Sequence, residues 1–130
     1  MNTRTAFAMN GIDFIADTNI LIYTLEGHPG VKAILPYFFA VSVISEIELL
    51  GKTGISDLEK KIINELLNDC QVIELNSVIK ERAISLKQKQ KIRLPDAIIA
   101  ATAIEYSLPL VTADKRLEKI EGLNCLVFEF

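Results

Sequence analysis

Four acidic residues stand beside the ends of apolar stretches. Asp17 directly follows Ile12-Asp13-Phe14-Ile15-Ala16, and Glu48 lies in the segment after Phe39-Ala40-Val41-Ser42-Val43. Asp96 precedes the apolar run Ala97 to Ile104, and Asp114 lies two residues past Pro109 to Thr112. Taken singly, Asp17, Asp96 and Asp114 could each cap a helix, because a side-chain oxygen accepts the free N–H groups there. Glu48 alone reads as a solvated helix residue. The joint pattern points elsewhere. Asp96 opens a helix too apolar for the surface, and Asp17 follows a strand expected at a sheet centre. Carboxylates are rarely carried into a core without a partner. A hard divalent cation resolves their repulsion, and Mg²⁺ or Mn²⁺ both take oxygen ligands. An all-oxygen donor set without histidine suits phosphoester hydrolysis. One metal lowers the pKa of a water, and a second can stabilise the leaving oxygen. The one histidine, His28, sits in a Gly-His-Pro-Gly loop and is read as structural.

The elements that must position these acids alternate. Strands are predicted over Ile12–Ala16, Phe39–Val43, Cys70–Leu75, Pro109–Thr112 and Asn124–Phe128. Helices are predicted over Thr18–Glu26, stopped by Gly27, and around Val31–Tyr37, disturbed by Pro36. Ser45 is expected to cap a helix running to about Lys52. Ser56 to Glu59 forms a capping-box start for a helix to Asn68. Asn76 is expected to cap a long amphipathic helix that ends in a basic run. Pro95 suits the first position of a helix through Tyr106 that is apolar on nearly every side and so buried. A short helix follows over Ala113–Ile120. Alternating strands and helices give an α/β fold, a three-layer sandwich with a central, mainly parallel sheet and helices on both faces. In such sheets a ligand binds beyond the carboxyl ends of the strands, at the switch point, where these acids fall.

The chain has 130 residues, half of them apolar, which suits one domain over residues 1–130 with 1–10 as a lead-in. No apolar run reaches the roughly 18 residues needed to span a membrane, and no secretory signal follows Arg4. Cys70 and Cys125 lack metal-ligand spacing and read as small apolar residues rather than a disulfide. A cytoplasmic protein is the default expectation. The net charge is −3, yet six of the fourteen basic residues fall between Lys80 and Arg93. Setting the four acids aside as metal ligands leaves about +1, so the total is compatible with an RNA partner once metal neutralises the pocket.

Four segments carry a resemblance: Ile15-Ala16-Asp17-Thr18-Asn19, Ser42-Val43-Ile44-Ser45-Glu46-Ile47-Glu48-Leu49-Leu50-Gly51, Leu94-Pro95-Asp96 through Ala103, and Leu110-Val111-Thr112-Ala113-Asp114. In order and spacing the chain resembles the PIN-domain family, and within it the VapC-type toxins of toxin–antitoxin pairs, from about Ile12 to Phe128. The resemblance implies a parallel α/β sandwich, Mg²⁺ or Mn²⁺ dependence, endonuclease action on RNA, homodimers and inhibition by a cognate antitoxin. Carried over, Asp17, Glu48, Asp96 and Asp114 form the acidic quartet. Thr18 and Asn19 match its first motif, and Thr112 matches a hydroxyl that supports the fourth acid. In that scheme Asp17 and Asp96 bind the principal metal with Glu48 beside them, while Asp114 recruits a second metal or orients a water.

Glu46 and Glu48 both compete for the second place. At about 100° per residue they point roughly 160° apart on one helix, and the apolar pattern does not choose between them. The family motif places its glutamate before Leu-Leu-Gly, which selects Glu48. The run Lys87, Lys89, Lys91 and Arg93 reads either as a solvated helix end, where cations favour the dipole, or as an RNA-contacting rim. The apolar faces of Ile20–Leu25 and Leu58–Leu67 read as core, or else as a dimer face or an antitoxin-helix groove. Gly51-Lys52-Thr53 is no phosphate-binding loop, since Glu46 stands where that loop needs glycine. Asn19 stands where a haloacid-dehalogenase-like phosphatase needs a second aspartate. Glu74-Leu75-Asn76 lacks the acceptor aspartate of a receiver domain. Two readings stand beside the toxin: a catalytically silent PIN module binding RNA or a protein partner, and an RNA-processing PIN nuclease without an antitoxin.

Overall fold

The computed structural model describes residues 11–130; the lead-in expected over residues 1–10 lies outside them. Five strands, β1 (Phe14–Ala16), β2 (Phe39–Ser42), β3 (Gln71–Ile73), β4 (Leu110–Thr112) and β5 (Cys125–Val127), form one sheet in the order β3-β2-β1-β4-β5. Every pairing is parallel, so all five strands end on the same side. The chain leaves central β1 toward β2 and β3, then returns to add β4 and β5 on the other side. The switch point therefore lies between β1 and β4, beside Asp17.

Strand alternation divides the core into two layers. Ile15, Ala40 and Leu110 face one cluster; Phe14, Ala16, Val41 and Val111 face the other. The first layer is covered by α4 (Ser77–Lys89) and α5 (Leu94–Glu105), the second by α1 (Thr18–Leu25) and α3 (Asp57–Asn68). Helix α2 (Val43–Leu50) sends Leu49 to the second layer and packs Ile44 against the first. Every residue of α5 from Ala97 to Ala103 is buried. Its alanines let the helix lie close against the sheet, and Thr102, buried there, satisfies its hydroxyl on the Ile98 carbonyl. The layered fold read from the sequence is the fold observed.

Several local expectations change. The capping box of Ser56 and Glu59 is present, and Asn76 caps α4 through the Ile79 N–H. Ser42, not Ser45, caps α2, accepting from the Ile44 N–H, because the strand ends one residue earlier than its apolar run. Arg93 occupies the N-cap position of α5 with no side-chain cap, so Asp96 lies inside the first turn rather than capping. The stretches around Val31 and Leu117 form short 3₁₀ turns, Pro29–Ala33 and Lys115–Lys119. Cys70 and Cys125 are free thiols and only half-buried, and burial pushes them up to about 12 and about 11. No helix among the described residues is long and apolar enough to cross a membrane.

Candidate active site

The residue after β1 fixes the centre of the site. Asp17 is 6% exposed. Its Oδ1 accepts the Thr18 N–H at 2.8 Å and so caps α1. Its Oδ2 accepts the Thr112 hydroxyl at 2.7 Å from neighbouring β4. The capping role and the buried-site role are thus one geometry. Burial pushes the Asp17 carboxyl above its ordinary value, the bonds from Thr112 and Thr18 pull it back, and the nearby charges of Asp96 and Glu48 raise it further.

Two hydroxyl relays hold the other elements to this centre. The Thr18 hydroxyl donates to Glu48 Oε1 at 2.7 Å and lies 2.8 Å from the Ser45 Oγ. With its hydrogen committed to Glu48, Thr18 accepts from Ser45, which is wholly buried. Ser45 and Glu48 are one helical turn apart, so α2 meets α1 along this face. Among the described residues, no hydrogen bond joins Glu46 to the cluster. The second relay runs through Asn19. Its Nδ2 stands 3.3 Å from both Asp17 Oδ2 and the Thr112 Oγ1, and its Oδ1 accepts the Ala113 N–H at 3.1 Å. Thr112 also accepts the Asp114 N–H at 3.0 Å.

Asp96 and Asp114 stand at the rim with cationic partners. Arg93 Nε donates to Asp96 Oδ2 at 3.2 Å, within the first turn of α5. Arg116 grips Asp114 with Nε to Oδ1 at 3.0 Å and Nη2 to Oδ2 at 2.7 Å, while Asp114 caps the 3₁₀ turn through the Arg116 N–H. This fork holds the Asp114 carboxyl below its ordinary value. The two rim acids are therefore paired, whereas among the described residues Asp17 has only hydroxyl, amide and backbone donors.

Asp17, Glu48, Asp96 and Asp114 all lie at the carboxyl end of the sheet. Asp96 and Glu48 are each close enough to Asp17 for it to feel their charge. Among the described residues, no three acidic, histidine or cysteine side chains already converge into a cage for an ion. The fit to Mg²⁺ or Mn²⁺ is one of donor chemistry: oxygen donors only, one of them buried and ringed by like charge.

The basic run divides. Lys87 and Lys89 close the last turn of α4, and the Lys87 ammonium donates to the Ile92 carbonyl at 2.7 Å. Lys91 and Arg93 instead border a cavity beside Asp96. His28 is structural in its contacts: Nδ1 accepts the Gly30 N–H, and the ring packs edge-on against Tyr23 and Phe130. Sequence reading passed over Ser45 as a site residue, Arg116 and Gln90. The close pair Asp114 and Arg116 was the one available signal for the second.

The PIN domain family matches residues 14–123. Among solved structures, a toxin–antitoxin complex from Klebsiella pneumoniae superposes with a TM-score of 0.78 at 31% identity, over 91% of this chain and 100% of that one. VapBC from nontypeable Haemophilus influenzae gives 0.74 at 25% identity, over 89% and 98%. A VapBC complex from Rickettsia felis, bound to a promoter DNA fragment, gives 0.78 at 20% identity over 91% and 100%, a likeness of fold alone. Comparison with curated proteins gives no match. With the family pattern spanning all but the edges of the described fold, the chain belongs to the PIN-domain family.

Proposed function

We propose that the chain is a metal-dependent endoribonuclease that hydrolyses RNA phosphodiester bonds and is the toxin of a toxin–antitoxin pair. The observation that carries the reading is Asp17: a nearly buried carboxylate at the end of the central strand, with Asp96 and Glu48 adding negative charge and, among the described residues, no cation bonded to it. Asp17, Asp96 and Glu48 would hold Mg²⁺ or Mn²⁺, with Asp114 assisting. Such an ion, when bound, brings the pKa of water toward neutrality and offsets charge at the phosphate. The chain's own groups do the positioning. Thr112 and the Thr18 N–H fix both Asp17 oxygens, and Thr18 aims Glu48. Arg93 and Arg116 screen the rim acids from an approaching phosphate.

A partner antitoxin is supported by the Klebsiella complex, the described neighbour above 30% identity. A cleft of about 420 Å³ between α1, α2 and α3 suits it, with Ile22, Leu25 and Ile62 on an apolar wall, Glu26 and Glu48 at its edge, and Glu59 paired there with Lys52. An amphipathic helix with basic residues would match that lining. We further propose a homodimer and a cytoplasmic setting, the former tested by light scattering after size exclusion.

Growth arrest on expression, compared between the wild type and Asp96→Asn and followed by sequencing of RNA ends, tests the function. Arrest and new RNA ends with the wild type alone are expected; full RNA cleavage in EDTA would rule the scheme out. The ion pairs of Arg93 and Arg116 favour one other reading, a silent PIN module whose rim acids are satisfied internally. Metal binding without cleavage of any RNA would select it.

A further inference from the structure

The acids occupy one side of the site; a cationic cavity occupies the other. Two segments that are distant in sequence form its walls, Gln90–Arg93 after α4 and Arg116–Ile120 around the second 3₁₀ turn. Its volume, about 470 Å³, falls within the range of small-ligand clefts. Lys91, Arg93, Arg116 and Lys119 line it, against the single acid Asp96. Such a concentration of one sign is unexpected in a chain of net charge −3. The floor is apolar, with Leu117 and Ile120 buried beneath it.

The walls are tied together. Gln90 Nε2 donates to the Lys119 carbonyl at 2.7 Å, and Gln90 Oε1 accepts the Glu121 N–H at 2.9 Å. One amide thus uses both its ends to bridge the two segments. Lys87, through the Ile92 carbonyl, braces the same segment from the helix side. Cations that would otherwise hang on independent loops are held across one gap. Asp96 itself lines the cavity, and Arg93 and Arg116 are bonded to Asp96 and Asp114, so the cavity lies beside the proposed acidic quartet.

We propose that this cavity is a phosphate subsite: it seats a backbone phosphate of single-stranded RNA next to the bond that is cut, with Lys91 and Lys119 as charges that no acid of the described residues pairs, and Gln90 as the positioning residue. The assignment rests on the nuclease reading above and deepens it. It differs from a general basic rim in two respects. Lys87 and Lys89 are not part of it, and contact with phosphate there needs no metal, because the cavity carries its own cations. A bare ribose-phosphate strand has one charge per nucleotide, so a phosphate beside the scissile one is always available to fill it.

The test is binding of a fluorescent single-stranded RNA in EDTA, where no cut intervenes, across a salt series. Lys91→Gln and Lys119→Gln are combined in one variant; both lie outside the acidic quartet. Each phosphate contact on a single strand contributes a slope of about 0.7 in log K against log salt, so the double variant, which empties a subsite for one phosphate, should lose about 0.7 from the wild-type slope. A second double variant, Lys80→Gln with Lys89→Gln, removes two exposed α4 charges that do not line the cavity and should keep the wild-type slope. A cavity variant with unchanged affinity and slope overturns the subsite, as does an equal loss in the Lys80 and Lys89 variant. Cleavage by the wild type with Mg²⁺, read separately, reports the nuclease assignment. Cleavage retained beside an unaffected cavity variant sinks the subsite alone, and a wild type that neither binds nor cuts RNA sinks both.

Discussion

The Thr112 hydroxyl donates to Asp17 Oδ2 at 2.7 Å, joining two carboxyl-end residues that are 95 positions apart in sequence. Thr112 is itself wholly buried, and it also accepts the Asp114 N–H. One side chain thus orients the central acid and anchors the loop that carries the fourth. Thr112→Val keeps the shape and removes the donor. It should cost about 1–3 kcal/mol of stability, as expected for a buried acceptor left short of a partner. If Asp17 holds the metal, Mn²⁺ affinity should also fall about 10–100-fold. Denaturant melts and calorimetric titration measure the two losses, and Thr112→Ser should restore both. Failure of serine to rescue would show that the methyl group, not the hydroxyl, matters.

Asp17 and Asp114 should titrate on opposite sides of the ordinary aspartate value of 3.8 in the metal-free protein. Burial raises Asp17; the stability tied to its protonated form is complete below 3.8 and lost as pH rises through its higher folded value. Asp17→Asn should therefore gain stability relative to the wild type as pH climbs through that window. The Arg116 fork lowers Asp114, so its contribution is present above 3.8 and lost as pH falls through its depressed folded value. That effect is small, since the pair is partly solvated. Carboxyl-carbon NMR titration gives both directions, and two coincident curves would contradict this electrostatic account.

Glu48→Gln should abolish RNA cleavage, while Glu46→Gln should largely spare it. Glu48 is aimed by the Thr18 hydroxyl and is felt by Asp17. Cleavage assays at equal protein and Mg²⁺ decide the matter. Equal losses would mean that α2 presents its other face to the substrate.

Ala100→Leu should damage activity from a distance. Ala100 is wholly buried where α5 lies against the sheet. Added carbons there cost about 1–3 kcal/mol by overpacking. Moving α5 also moves Asp96, which is rooted in its first turn. Far-ultraviolet circular dichroism should stay native while metal affinity falls; unchanged affinity would show that Asp96 is positioned by Arg93 rather than by the helix.

What the sequence disclosed, and what it hid, follows from the range of each interaction. The capping box at Ser56 and the cap at Asn76 were readable because each is settled within four residues. The buried character of α5 was readable because nothing polar interrupts it except Thr102, which bonds back to its own helix. Placement of Ser45 went wrong for the opposite reason. Ser42 and Ser45 are both competent caps locally, and the choice depends on where β2 stops pairing with β3. Once Ser42 takes the cap, Ser45 is turned toward Thr18, a contact spanning 27 residues. The acids could be picked out by their place after strands, but not the arginines that meet two of them. The bridge from Gln90 to the 119–121 segment had no sequence signal at all, since a lone glutamine in a basic run reads as solvent-facing.

The strand order carries a consequence for biosynthesis. Because β1 is the first strand made and β4 the fourth, Asp17 is synthesised 95 residues before the Thr112 hydroxyl that bonds it. An interrupted product lacking β4 would have its central carboxylate without the Thr112 donor and no anchored Asp114. The buried carboxylate thus stays without its hydroxyl partner until β4 joins β1, and the candidate site is assembled only by that late closure of the sheet.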